Sequence, residues 1–489
     1  MTLSATLANA MTGLNAASRT ADLIANNVAN ALTEGYGRRD IELSPVQLAN
    51  EGQGVRVIGI SRVSDPLITG TRRISQAEAG QTSSLAESQE RIADLVGEPG
   101  QPLALSTLID RFETALTAAS DTPEGTTLLS DAVTAAGELA DKFNAISNEI
   151  RTIRSEADAE INRQINLINS SLTEVERLND EIRINTFTGS DIAALQDQRQ
   201  RVVDGISDLV PIKVIQRDNN QIALYTATGG QLLDGRSFDL EFSPTTLVTQ
   251  DQTLANGALS GITLAGYDIP IGTGDGRGFY DGGALEAQFL IRDQIGPEVA
   301  IEIDALARNL IERLEGLPED TTLVAGDPGL FTDNGLAFDP LNEEGIAGRI
   351  SLNAQVDPSA GGDVTRLRDG LNAVAVGDVG DATLLRAMQD AIQLQSPIAT
   401  GAGFSGTRSV AGFTSEFSGT ILFNSVEADT RAATDQARFQ TLSDAETNAV
   451  GVDTDAELAR LLLVEQSFTA NARVIQVVDE LLARLINII

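Results

Sequence analysis

The stretch "LSATLANAMTGLNAASRTADLIANNVANA", residues 3–31, is apolar at every position reached by alternating steps of four and three residues. These positions are Leu3, Leu7, Ala10, Leu14, Ala17, Ala21, Ile24, Val28 and Ala31. Such spacing over four heptads is typical of a coiled-coil seam rather than of a surface helix with one broad apolar face. Ala fills four of the nine positions. The stretch therefore predicts an N-terminal helix whose seam carries many small side chains.

The other end of the chain has a matching pattern. Residues 455–489 contain neither Gly nor Pro, and "TDAE" at 454–457 predicts a capping box in which Thr454 and Glu457 cap the first turn. The seam positions are Leu461, Val464, Phe468, Asn471, Ile475, Val478, Leu482, Leu485 and Ile489. Eight of the nine are large and apolar. Large side chains at one end and small ones at the other can interdigitate, so we expect the two ends to pair.

The interior is helical at its start, strand-like in the middle and helical again further along the chain. No Gly or Pro occurs from 138 to 188, and apolar residues recur there at helical spacing, which predicts one or two joined helices up to roughly 75 Å long. Residues 125–137 lead into this long helix, and shorter helices are predicted over 82–95, 103–119, 282–315, 381–396 and 419–450. Around Asp218-Asn219-Asn220 the period becomes two, which predicts a hairpin, and strand-like segments continue to about 275.

Composition excludes several classes of function. The net charge is −36, with Lys142 and Lys213 the only lysines, so we expect neither nucleic acid nor membrane as a partner. The chain has no Cys and no His, and it lacks an apolar run that could span a membrane. It also lacks the basic and apolar regions of a cleavable signal peptide.

Motifs for catalysis or ligand binding are absent or incomplete. "GTGDGRG" (272–278) lacks the Lys-Ser/Thr of a phosphate loop, and "DPGLFTDNG" (327–335) lacks the calcium-ligand spacing of an EF-hand. Without His or Cys, catalysis would have to rest on carboxylates alone, as in a glycosidase. We therefore expect a protein that is not an enzyme and needs no cofactor or metal.

Two terminal segments carry a family resemblance. "MTGLNAASRTADLIANNVANALTEGYGRRD" (11–40) and "GVDTDAELARLLLVEQSFTANARVIQVVDELLARLINII" (451–489) resemble the terminal signatures of bacterial flagellar rod, hook and hook-associated proteins. Within that group, "ALQDQRQRVVDGISDLVPIKV" (194–214) and "GGALEAQFLIRDQIGPEVAIEIDALARNLIERL" (282–314) resemble the hook-associated protein 1 family.

This resemblance implies a structural adaptor at the junction of hook and filament, assembled as a ring through its terminal helices. Implied partners are further copies of the chain, the hook protein, the second junction protein and a cytoplasmic export chaperone that holds about 450–489. It also implies an extracellular location on the flagellum, reached by type III export. Carried over to this sequence, the N-terminal motif residues are Asn26, Asn27, Asn30, Gly35 and Tyr36. Their amides could bond neighbouring subunits, and Gly35 permits a chain reversal.

We predict a mainly α, elongated, multidomain chain with a β-containing outer domain. Residues 1–45 with 446–489 form a terminal coiled coil, 46–200 with 400–445 form a helical layer, and 201–399 form a mixed outer part. The ends are expected to be loosely held in a single copy and to become firm when further copies pack around them.

Three other readings stay open. The chain could be another axial protein such as a hook protein, although the helical stretch at 138–188 disfavours it. It could be an extracellular carboxylate hydrolase with flagellar-type ends, or a secreted coiled-coil protein unconnected with flagella.

Overall fold

The computed structural model describes residues 3–33, 35–48, 51–264, 266–270, 278–398 and 403–486. The helices are α1 (Leu3–Ala29), α2 (Pro66–Val96), α3 (Leu105–Asp121), α4 (Thr126–Thr188), α5 (Ala193–Leu209), α6 (Gly283–Leu290), α7 (Gly296–Leu314), α8 (Arg366–Asp369), α9 (Thr383–Gln393), α10 (Val410–Val450) and α11 (Thr454–Ile486). The chain is mainly helical, elongated and multidomain, and α1 packs along α11, so the predicted fold class is confirmed.

The strands form small antiparallel sheets. Their bounds are β1 (Arg39–Leu48), β2 (Glu51–Arg62), β3 (Ile212–Gln216), β4 (Ile222–Thr226), β5 (Gln231–Asp234), β6 (Arg236–Ser237), β7 (Leu240–Glu241), β8 (Ile262–Leu264), β9 (Tyr267–Ile269), β10 (Phe331–Asp333), β11 (Ile350–Leu352), β12 (Ser396–Pro397) and β13 (Thr407–Arg408). The predicted hairpin is present as β3–β4, and its turn places Asn219 and Asn220 at positive φ. Asn tolerates this left-handed conformation better than most residues, which explains the Asp-Asn-Asn turn.

Helix α4 is the longest element, a single helix of 63 residues and about 95 Å. It includes residues 126–137, which we predicted to lead into the long helix, and Gly125 is the residue before its first turn. Gly189 ends it in the left-handed conformation, with φ of 70°.

Two hydrophobic cores lie along α4. Its first half packs with α3, α7, α9 and the start of α10, around residues such as Phe143, Phe331 and Phe413. Its second half packs with α5, α6 and the sheets β3–β9, around residues such as Ile165 and Leu224. Helices α7 and α9 thus share a core with α3 and α10, whereas the sequence placed 201–399 in one outer part. The three-part division itself stays a prediction.

Helices α2 and α10 form an antiparallel pair that links these cores to the chain ends, since Arg72 contacts Glu446 and Glu78 contacts Arg438. Both helices begin earlier than we predicted: α2 at Pro66 rather than 82, and α10 at Val410 rather than 419. The hairpin β1–β2 was not predicted; its strands, at 39–48 and 51–62, lie across the predicted boundary between the terminal coiled coil and the helical layer and pack on α1.

Candidate assembly surface of the terminal helices

The paired helices α1 and α11 bring the two predicted seams together. On α1, Ile24 is fully buried, and Leu3, Leu7, Leu14 and Val28 are half-buried. On α11, Val478 is buried, and Leu461, Val464 and Ile475 are half-buried. Phe468 and Leu482 are exposed to 41% and 38%, and the side chain of Leu485 lies outside the described part of the chain. Within a single chain, therefore, the seam on α11 is only partly covered.

Close packing at the middle of the pair depends on Gly13. A Cβ atom built on Gly13 would lie 2.9 Å from the side-chain amide nitrogen of Asn471, the one polar residue of the C-terminal seam. Asn471 in turn donates from that nitrogen to the Ser467 carbonyl oxygen, at 3.0 Å. The smallest residue of one helix thus accommodates the polar seam residue of the other.

Asn27 is the centre of the polar N-terminal motif and is fully buried. Its Nδ2 donates to the Arg39 carbonyl oxygen at 3.0 Å and to Glu457 Oε2 at 3.2 Å. Its Oδ1 accepts from the Tyr36 hydroxyl at 2.9 Å and from the Arg39 amide at 3.1 Å. Both donors and both acceptor sites of the amide are used. One side chain therefore fixes α1, the loop after it and the first turn of α11 together.

The other motif residues lie around Asn27. Asn30 Nδ2 donates to the Asn26 carbonyl oxygen at 2.9 Å, whereas the side chain of Asn26 is exposed. Gly35 has φ of 74°, the left-handed conformation that the predicted chain reversal requires. Burial raises the pKa of Tyr36, and the Arg39 guanidinium lies 4.9 Å from the centre of its ring.

The start of α11 differs from the predicted capping box. Asp453, not Thr454, caps the helix, because its Oδ1 accepts from the backbone amides of Asp455 at 2.9 Å and Ala456 at 3.1 Å. Glu457 is only 2% exposed and points to Asn27 instead of back to the cap. The predicted roles of Thr454 and Glu457 are therefore wrong: a carboxylate one residue earlier takes the cap and frees Glu457 for the inter-helix contact.

Asp197 of α5 joins the terminal pair to the rest of the molecule. Its Oδ1 accepts from Arg62 Nε at 2.6 Å and from the Gly37 amide at 3.1 Å, and its Oδ2 accepts from Arg39 Nη2 at 3.3 Å. Beside it, Glu446 at the end of α10 accepts from Arg72 Nε at 2.7 Å. From the sequence, the segment 194–214 was identified only by its family resemblance, and the contacts of Asp197 were not predicted. The spacing of charged residues along a helix does not indicate which distant Arg residues contact a given carboxylate such as Asp197.

The outward face of α11 is rich in large apolar side chains that have no cover in the single chain. On this side of the helix, those exposed by 38% or more are Leu458, Leu462, Leu463, Val474, Val477 and Leu481, whereas the exposed Phe468, Leu482 and Ile486 lie on the side that faces α1. Leu462 and Leu463 are exposed to 61% and 64%. A row of this length is larger than the scattered apolar residues of an ordinary surface and is typical of a protein–protein contact. The apolar face of α11 (these six outward residues) is the candidate assembly surface.

Two carboxyl groups with raised pKa values have structural causes. Burial and the nearby Glu298 and Glu416 carboxylates raise the pKa of Glu302 to about 7. Burial raises the pKa of Asp304 to about 6, and its carboxylate accepts from the backbone amides of Gly345 at 2.7 Å and Ala347 at 2.9 Å. Asp304 thus holds a turn of the main chain. The described residues contain no cluster of acidic side chains arranged for a metal ion, and none of the described helices is long and apolar enough to cross a membrane.

Comparison with known proteins gives one consistent family. The family model described as the flagellar hook-associated protein FlgK helical domain matches residues 90–330, and that of the flagellar basal body rod FlgEFG protein C-terminal region matches 447–488. The chain is 24% identical to flagellar hook-associated protein 1 of Bacillus subtilis, over 98% of this chain and 97% of the relative. It is also 24% identical to the protein of that name in Escherichia coli, over 99% and 100%.

A solved structure of the flagellar hook junction protein FlgK from Burkholderia pseudomallei is also similar. It has 18% sequence identity and a TM-score of 0.43, and the match covers 54% of this chain and 47% of that one.

Proposed function

Because the chain belongs to the flagellar hook-associated protein 1 family, whose members are structural proteins of the flagellum and not enzymes, we propose that it is the adaptor at the hook–filament junction. In this proposal, copies form a ring through their terminal helices, and the filament attaches to that ring. The observation that carries the proposal is the uncovered apolar face of α11, a helix whose opposite side packs on α1 within the single chain.

The apolar face explains why a ring would form. Each large side chain that leaves water contributes about 1.5–3 kcal/mol, so a row of them favours contact between copies strongly. The contacts between α1 and α11 fix the register of the pair. The hydrogen bond from Asn27 to Glu457 positions the start of α11, and the close approach of Gly13 and Asn471 positions its middle. A neighbouring copy then meets one defined surface rather than a loosely paired helix.

The same surface suits the proposed partners. The hook protein and the second junction protein would contact the ring on its two sides. Before export, a cytoplasmic chaperone would cover the apolar face over about 450–489, which would otherwise promote aggregation. The chain would reach the flagellum by type III export without a cleaved signal peptide. The motif residue Asn26, exposed beside the fully bonded Asn27, is the N-terminal amide best placed to bond a neighbouring subunit.

Location tests the adaptor role directly. Immunogold labelling of intact flagella should give one narrow band where hook meets filament. Label along the whole hook would instead indicate another axial protein, and unlabelled flagella would contradict the proposal altogether.

The surface is tested by substitution. Leu462→Asp with Leu463→Asp should abolish the junction band and filament attachment while leaving the thermal midpoint of the soluble protein unchanged, because both side chains are already in water. Leu341→Asp is the matched control, since Leu341 is 96% exposed on a short turn away from the terminal pair. Normal filaments with the double substitution would show that the apolar face of α11 is not the assembly surface.

A further inference from the structure

A cavity of about 530 Å³ lies between the hairpin β1–β2, the first turns of α2, helix α5 and the sheet β3–β4. The titratable side chains that line it are all arginines, namely Arg62, Arg73 and Arg199. Apolar side chains, including Val203 and Ile212, form the rest of its wall. We call this space the arginine cavity.

Arg199 is the least compensated charge in the arginine cavity. It is 6% exposed, and its Nη1 donates to Asn179 Oδ1 at 2.8 Å and to the Asn220 carbonyl oxygen at 2.7 Å. Both acceptors are neutral. Among the residues that the structure describes, its Nε and Nη2 have no hydrogen-bond partner. Burial, and the positive charges of Arg62 and Arg73, lower the pKa of Arg199 to about 10.

Arg73 is in a similar position. It is 6% exposed, and its one hydrogen bond within the described part of the chain runs from Nε to Asp204 Oδ1 at 2.7 Å. Asp204 also accepts from Arg72 Nη2 at 2.5 Å, so two guanidinium groups share one carboxylate oxygen. Neither Arg73 nor Arg199 therefore has a carboxylate of its own.

Positive charge exceeds negative charge around the arginine cavity. Three guanidinium groups line it, those of Arg62, Arg73 and Arg199, and the carboxylates that contact them are those of Asp197 and Asp204, which Arg39 and Arg72 also share. This excess of positive charge is unusual in a chain of net charge −36. Burying a charge without a partner is costly, and a carboxylate is the group whose two oxygens match the N–H fork of a guanidinium.

We propose that the arginine cavity binds a carboxylate side chain supplied by a neighbouring copy of this chain. Charge complementarity favours that source, because each copy carries 70 Asp and Glu residues against 34 Lys and Arg, so copies otherwise repel one another. The cavity also adjoins a groove of about 830 Å³ that Asn26 of α1 helps to line, and Ile60, Ile192 and Asn220 border both spaces. The identity of the donor rests on the proposed ring; the carboxylate site itself does not.

The first experiment measures the site in the soluble full-length protein. The thermal midpoint is followed as glutarate replaces sodium chloride at constant ionic strength. It should rise by about 1–2 °C in the wild type and in Arg183→Gln, an exposed Arg on α4, but stay unchanged in Arg199→Gln. An equal response in the wild type and Arg199→Gln would overturn the site.

A second pair of variants keeps the test valid if Arg199→Gln folds poorly. Gly70 borders the arginine cavity, and a Cβ atom built there meets no other atom within 4 Å. Gly70→Glu should place a carboxylate in the cavity, raise the thermal midpoint above that of Gly70→Gln and remove the response to glutarate. Equal midpoints and an equal response to glutarate in the two variants would mean that the response arises outside the cavity, and would overturn the site.

The third experiment tests the donor. Glutarate at constant ionic strength should slow assembly of the wild type. It should slow assembly of Gly70→Gln, which adds no carboxylate to the cavity, to the same degree. A response of the soluble protein without an effect on assembly would overturn the neighbouring copy as donor and indicate a site for a free organic acid. Failure of the wild type to assemble under any condition would contradict the proposed ring but not the first two results.

Discussion

Replacement of Asn27 by Ala should loosen the terminal helix pair specifically. The substitution removes four hydrogen bonds, to Tyr36, to both backbone groups of Arg39 and to Glu457. The carboxylate of Glu457 is 2% exposed and would lose its Asn27 donor. A buried polar group left without a partner costs about 1–3 kcal/mol, and the partly exposed partners recover some of this by bonding water, so we expect a total loss of about 3–5 kcal/mol.

Hydrogen exchange followed by mass spectrometry measures this loss locally. Exchange of the α1 and α11 amides should accelerate by about two to four orders of magnitude, since about 1.4 kcal/mol corresponds to a factor of ten, while the amides of α4 stay unchanged. Asn26→Ala is the control, because it makes the same change one position away on an exposed side chain. Equal exchange in the two variants would refute the claim that Asn27 holds the two ends together.

Three further predictions concern other parts of the molecule. Asp197→Asn should lower the free energy of unfolding in urea by about 2–4 kcal/mol, because buried Arg residues lose their carboxylate, whereas the exposed Asp180→Asn should change it by less than about 0.5 kcal/mol. Gly13→Leu should speed amide exchange in α11, and adding Asn471→Ala should restore part of the protection, since the clash lies between these two residues. The folded pKa of Glu302, about 7, lies above its ordinary value of 4.5, so the stability it contributes is full below pH 4.5 and is lost as the pH rises to about 7. Unfolding at a series of pH values should show this decline in the wild type and a flatter profile in Glu302→Gln.

Helical periodicity was sufficient to predict the main architecture. The pairing of the terminal helices, the helix over 138–188 and the hairpin at 212–226 were predicted from local patterns, and each appears in the structure. The hairpin β1–β2 was missed because its strands alternate poorly, with Pro45 and Gly54 within them and two irregularities in their register. Gly54 is required there: a Cβ atom would lie 2.1 Å from Thr12 Oγ1 on α1.

The contacts of the terminal motif could be predicted only in part. Asn27 and Gly35 were predicted as members of a polar motif whose amides bond neighbouring subunits. In the structure, all four hydrogen bonds of the Asn27 side chain are made within the chain. Asp197 and Glu446 were not singled out, and Glu457 was assigned to a capping box, since each meets its partner across more than 130 residues. Local spacing predicts what a helix buries, not which distant side chain completes a buried hydrogen bond.

The bond from Asn27 to Glu457 spans 430 positions of the chain, which has a consequence for the order of folding. Bringing together groups so far apart costs more entropy than the nearby contacts within α2, α3 and α4, so the terminal pair is expected to form last. Until residue 457 is available, Asn27 cannot use both of its donors, and α1 lacks its partner helix. A chain that is cut short before this point therefore cannot complete the terminal pair. Only finished molecules would present an apolar α11 face in the correct register, and incomplete ones would be left out of the assembly.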